Sequence, residues 1–199
     1  MKMQWILLGM ATCLSCSVLA QTESSAASGM VQDQEAMMEV WQAAATPGEP
    51  HERLAEMAGE WTGQVETWAV PGMEPMVSES RVVREMTLDG RVIEERWSGE
   101  MMGMPFQGHG RTGYNNVTED YWSTWTDNVS TGLMTFTGQY DAESDRYEFT
   151  GSYVDPVSKQ TVDTRSVSHS PESGKEIMEM FETRGGEEIM TMRITLTKN

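Results

Sequence analysis

Tyr121, Trp125 and Asp127 stand at spacings that a β-strand would turn to one face, because successive strand side chains point to opposite sides. Aromatic rings around one carboxylate, set inside a barrel, would make a selective pocket for a small molecule. A carboxylate in an apolar pocket can also serve as a general acid or base, so Asp127, helped by a tyrosine or arginine, could carry a hydrolase or isomerase reaction. The same residues could instead face solvent, with Asp127 capping the turn that follows. The candidate lining set is Trp68, Trp97, Tyr114, Tyr121, Trp125, Asp127, Met134 and Phe136, not all of which are expected to face inward.

Other chemistry is thinner. Gly108-His109-Gly110-Arg111-Thr112-Gly113 fits G-x-G-x-x-G. A dinucleotide site needs that turn to lead from a strand into a helix. Here Tyr114-Asn115-Asn116 and another strand pattern follow, so glycines at a tight bend or close approach are the better account. Beyond the first twenty residues, histidine occurs at His51, His109 and His169, too widely spaced for a zinc motif. Haem needs one proximal histidine, which His109 or His169 could supply. Methionine clusters at 101–104, 178–180 and 190–192 could hold Cu(I). Adaptable packing or pocket lining explains them more simply, and no cofactor is expected. Ser168-His169-Ser170 has a suggestive composition, but adjacent strand residues diverge.

These residues need strands to position them. From Trp61 onward, runs rich in Val, Thr, Trp, Tyr, Phe and Ile alternate with polar turns. The expected strands are Glu60–Val70, Val77–Leu88, Arg91–Met101, Phe106–Tyr114, Tyr121–Asp127, Gly132–Tyr140, Arg146–Val154, Thr161–Ser168, Glu176–Thr183 and Glu188–Thr197. Asp89-Gly90 reads as a two-residue hairpin turn. At Gly185-Gly186, a two-residue loop would set Met180 opposite Thr191, and a three-residue loop would set it opposite Met190. Ahead of the strands, 33–45 has helical character, Thr46–Pro50 breaks it, and His51–Ala58 reads as a short helix. Short connections make an antiparallel meander, and closure removes its exposed edges. The expected fold is all-β, an up-and-down barrel of eight to ten strands with a short N-terminal helix. A two-sheet sandwich is the alternative.

The N-terminus reads as an address. Lys2, the apolar run Trp5–Ala11 and Val18-Leu19-Ala20 form a secretory signal peptide with cleavage after Ala20. Cys13 and Cys16 would leave with it, and the mature chain would carry no disulfide. Cys13 stands where a lipoprotein signal calls for an aliphatic residue, so lipid anchoring at Cys16 is the lesser alternative. The expected organisation is 1–20 signal, 21–46 flexible leader with a possible helix, and 47–199 one barrel domain, periplasmic or secreted. The formal charge of −17 in 199 residues argues against nucleic acid, whose phosphates require a basic face. Once the signal is cleaved, no membrane span is expected.

Two resemblances follow from these residues. His51–Gly63, a short helix leading into Gly59-Glu60-Trp61, resembles the opening of the calycins, the lipocalin-like barrels. That likeness implies a tryptophan packed across the closed end. Gly99–Asn116, with Tyr121, Trp125, Asp127 and Thr131–Met134, is similar to a bacterial family known as domain-of-unknown-function family 1579. The resemblance covers about Pro47 to Lys198 and implies kinship without an activity. Three functions stay open: a non-enzymatic barrel for a small apolar or amphipathic molecule, an enzyme using Asp127 in the cavity, or a cell-envelope structural or interaction protein with a filled barrel.

Overall fold

A computed structural model describes residues 33–199. The proposed signal peptide lies outside the described residues. The chain divides into Met1–Ala45 and Thr46–Asn199. In the first unit, 33–45 is helical (α1). The second unit opens with helix α2 (Glu49–Glu56), two residues earlier than the periodicity places it. Pro50 suits the first helical turn, where an amide hydrogen would lack a partner anyway. Gly48 N–H donates to His51 Nδ1 at 3.1 Å, which anchors the helix start.

Ten strands follow: β1 (Gly59–Thr67), β2 (Met76–Thr87), β3 (Val92–Met101), β4 (Met104–Asn115), β5 (Asp120–Asp127), β6 (Met134–Asp141), β7 (Arg146–Val154), β8 (Thr161–Glu172), β9 (Lys175–Arg184) and β10 (Glu187–Lys198). Each pairs antiparallel with its neighbour in sequence, and β10 pairs with β1 to close the barrel. All ten expected strands are present, with ends shifted by a few residues. The β2–β3 connection differs. Thr87 pairs with Val92, so four residues make the loop rather than two. Leu88, Asp89 and Gly90 all take positive φ, and the amides of Gly90 and Arg91 both donate to Thr87 O.

Register fixes which side chains point inward. Starting from buried Trp61, the ladder runs Trp61–Val82–Trp97–Gly108–Asp127 across β1 to β5. From Asp127 inward positions alternate through Trp125, Ser123 and Tyr121, then Met134, Phe136 and Gly138 on β6 and Phe149 and Gly151 on β7. On β8 to β10 they are Thr164, Ser166 and Ser168, then Met180, Met178 and Glu176, then Met192, Ile194 and Leu196. Helix α2 closes one end by seating Leu54 against Ile93, Tyr121 and Tyr147. Above that end, Trp61, Val82, Trp97, Ile194 and Leu196 form a second buried cluster. Trp61 lies across the closed end as the calycin likeness implies. Its Nε1 donates to Met57 O at 2.9 Å, and Arg84 and Lys198 each sit 5.4 Å from its ring centre.

Candidate functional site: the barrel lumen

The barrel is packed unevenly along its axis. Near α2, Leu54 and Tyr121 are 1% exposed and Leu196 is fully buried. Toward the opposite end, inward-facing Val65, Phe106, Ser123, Trp125, Phe136, Ser166, Met178, Met180 and Met192 are only half-buried. Side chains that point into a closed barrel yet still reach solvent define a lumen open at that end.

Glycines make room for the aromatic rings of the interior. A methyl at Gly108 would stand 2.5 Å from Trp125 Cη2, so the indole occupies the space this glycine leaves. In the same way, Phe149 covers Gly138 at 2.7 Å and Phe136 covers Gly151 at 2.7 Å. Gly110 serves a different neighbour, because its missing side chain leaves space for the Glu95 carboxylate. The G-x-G-x-x-G run is therefore mid-strand β4, with no helix behind it. Trp125 lies nearly parallel to Phe106, at 6.4 Å and 18°, and edge-on to Trp97 at 6.0 Å. Opposite these rings stand Met178, Met180 and Met192. The Gly185-Gly186 loop is the two-residue form, pairing Arg184 with Glu187. A bulge between Met190 and Met192 then shifts the ladder by one residue and sets Met180 against Met192. Neither simple loop predicts that pairing.

The buried charge of the barrel is concentrated at one network. Arg84 is buried on β2, with Nε donating to Glu95 Oε2 at 3.0 Å and Nη1 bonded to Glu176 Oε2. These carboxylates hold the guanidinium pKa above its usual value, outweighing the burial that acts to lower it. At the open rim, Glu182 accepts from Tyr153 Oη at 2.9 Å and from Arg184 Nε at 2.7 Å. Burial and this carboxylate push the Tyr153 phenol up to about 12.

Of the eight expected lining residues, Trp97, Tyr114, Tyr121, Trp125, Asp127, Met134 and Phe136 all occupy the inward register. Tyr114 and Tyr121 belong to the packed closed end, in contact at 4.9 Å. Trp68 lies past the end of β1, half-buried, with its amide donating to Thr191 O. Asp127 is inward and also caps the next turn. Its Oδ1 accepts from the amides of Val129 (3.1 Å) and Ser130 (2.8 Å), and its Oδ2 from Trp125 Nε1 (2.9 Å). Three donors hold this carboxylate in place. His109 pairs with Arg96 on the outward register and is exposed. His51 is buried as the α2 cap, edge-on to Tyr114. Among the described residues, no group of three His, Cys, Asp or Glu side chains could hold a metal ion. The Arg84–Glu95–Glu176 network and the aromatic-over-glycine pairs were not visible as a site in the sequence. A lone arginine at an inward position opposite a glutamate, on adjacent strands, is the signal for the first.

Residues 46–198 match a family of proteins of unknown function, DUF1579. The chain belongs to this family. The match spans the whole barrel and α2, and the family carries no assigned ligand or activity. Among solved structures, the barrel is similar to the crystal structure of Rv2717c from M. tuberculosis, with a TM-score of 0.55 and 14% sequence identity. That likeness covers 77% of this chain and 99% of the other, and it is a likeness of fold alone. No curated protein matches. Among the described residues, no helix is long and apolar enough to cross a membrane.

Proposed function

We propose that this DUF1579 protein is an exported, non-enzymatic binding barrel that holds a small apolar or amphipathic molecule in its open half. One observation carries the reading. The inward side chains of the open half are half-buried aromatic, methionine and serine residues, whereas the closed end is packed tight. Pockets for small molecules combine an apolar wall with a few polar groups in this way. The three donors on Asp127 favour a positioning role for that carboxylate over proton transfer. Export rests on the signal-like segment ending at Ala20 and places the barrel in the periplasm or outside the cell.

Native mass spectrometry of the gently purified mature chain tests the binding. A co-purified small molecule, or tryptophan emission that shifts with members of a lipid and metabolite panel, is the expected result. A chain that carries nothing and ignores the whole panel would sink the reading. N-terminal sequencing from a cell-envelope fraction should begin at Gln21, and an intact Met1 in the cytoplasm would overturn export.

A further inference from the structure

We infer that the lumen selects lipophilic cations over neutral and anionic molecules of the same chain length. This rests on the binding reading above and names the ligand class. In the open half the inward register supplies no free counter-charge for an anion. Among the described residues its basic side chains are Arg84, Arg184 and Lys198. Arg84 already holds Glu95 and Glu176, and Arg184 at the rim holds Glu182 and Asp155. Lys198 donates to Glu56 O at the closed end, over the Trp61 ring. The inward carboxylates are Glu95, Glu176, Asp127, Glu182 and Glu187, so the wall is net acidic in a chain of formal charge −17.

Aromatic faces supply the attraction. Trp125 meets Gly108 through the Cζ2–Cη2 side of its indole and stays half-buried, so part of the ring is open to the lumen. Phe106 lies beside it, Trp97 stands edge-on, and Phe136 lies against Gly151. Ring faces are electron-rich and draw cations, most strongly where water is thinned out. Asp127 bonds Trp125 Nε1, placing a fixed carboxylate beside this ring. The barrel uses the same chemistry internally, where Arg84 lies 5.4 Å over Trp61. Met178, Met180 and Met192 give a polarisable wall that adapts to an alkyl body.

The test compares dodecyltrimethylammonium, dodecanol and dodecanoate, each below its micelle concentration, binding to the mature protein by calorimetry. High salt (about 0.5 M) screens attraction to the acidic outer surface. The cation should bind on the order of tenfold more tightly than the alcohol, and the carboxylate most weakly. In Trp125→Leu the cation-to-alcohol ratio should collapse toward one. Phe106→Leu should shift it the same way if the first variant folds poorly. Alcohol or carboxylate binding as tightly as the cation overturns the selectivity while leaving a binding lumen. Cation binding that neither variant weakens assigns it to the surface and also overturns the inference. Failure of all three probes removes both readings.

Discussion

Replacing Gly108 by alanine puts the shape of the lumen to a direct test. The new Cβ would lie 2.5 Å from Trp125 Cη2 and 3.3 Å from Phe106 Cζ. Ordinary carbon contacts are about 3.5–4.0 Å, so the indole must retreat by about 1 Å. It has little freedom to do so, with Phe106 and Trp97 against it and Nε1 tethered to Asp127 at 2.9 Å. Overpacking of this kind costs about 1–3 kcal/mol. A strained Nε1 hydrogen bond adds up to about 1 kcal/mol. The loss of unfolded-chain freedom on going from glycine to alanine returns about 0.4–1 kcal/mol. The net loss is about 2 kcal/mol, which for a domain of this size lowers Tm by about 4–8 °C. Gly132→Ala is the control, because nothing lies within 4 Å of its Cβ position. It should be neutral or slightly stabilising. Urea unfolding followed by tryptophan emission and circular dichroism measures both. If Gly108→Ala matches Gly132→Ala to within about 0.5 kcal/mol, the indole does not lie on Gly108.

Other perturbations probe the network, the bulge and the rim. Arg84→Met strands Glu95 and Glu176 in the interior and should cost about 3–5 kcal/mol by urea denaturation, with Glu176→Gln added recovering a measurable part. No recovery would mean that the guanidinium acts by packing rather than charge. Deleting Thr191 removes the bulged residue and leaves Met180 opposite Met192. The chain should stay folded and lose about 1–2 kcal/mol for its bonds to Trp68 N and Met180 O. Deleting Arg193 instead forces a one-residue slip that turns side chains to the wrong face, and should abolish folding. Equal outcomes would contradict the register. Tyr153 is neutral over a wider pH range in the fold than in the open chain, where a phenol titrates near about 10. Its contribution is therefore complete below that value and is lost as pH rises through about 12. The difference between the 295 nm titrations of the parent chain and Tyr153→Phe should isolate a late tyrosinate step, and a difference centred at the ordinary value would refute the burial at the rim.

The strands were legible because alternation and turn residues agree along nearly the whole barrel. Parity then carried Trp97, Tyr121, Trp125, Asp127, Met134 and Phe136 to one side together, since each lies within a regular ladder. Parity fails at Trp68, beyond the end of its strand, and at Thr191, where a bulge has no mark in composition. The acidic residues of a strand ordinarily face solvent. Glu95 and Glu176 turn inward because Arg84 waits there, a pairing among β2, β3 and β9 that no single strand shows. Glycine roles were hidden for the same reason. Whether Gly108 bends the chain or seats a ring depends on Trp125 of the next strand.

Ten strands enclose more space than eight, whose interior side chains can just fill. This barrel spends several half-buried inward positions on serine: Ser78, Ser123, Ser166 and Ser168. Chosen for stability alone, those positions would carry leucine or valine, because each buried branched side chain contributes about 1.5–3 kcal/mol. An under-filled interior is thus a cost that binding explains. Ser166 is a clean place to test it, inward on β8 between Phe149 and Met180 and half-buried. Ser166→Leu should raise stability by about 1 kcal/mol while weakening probe binding at least about tenfold, the trade expected where a site gives up packing for space. If Ser166→Leu destabilises the chain, the serine is already in close contact and there is no room to fill. If it stabilises the chain and leaves binding intact, the ligand sits elsewhere.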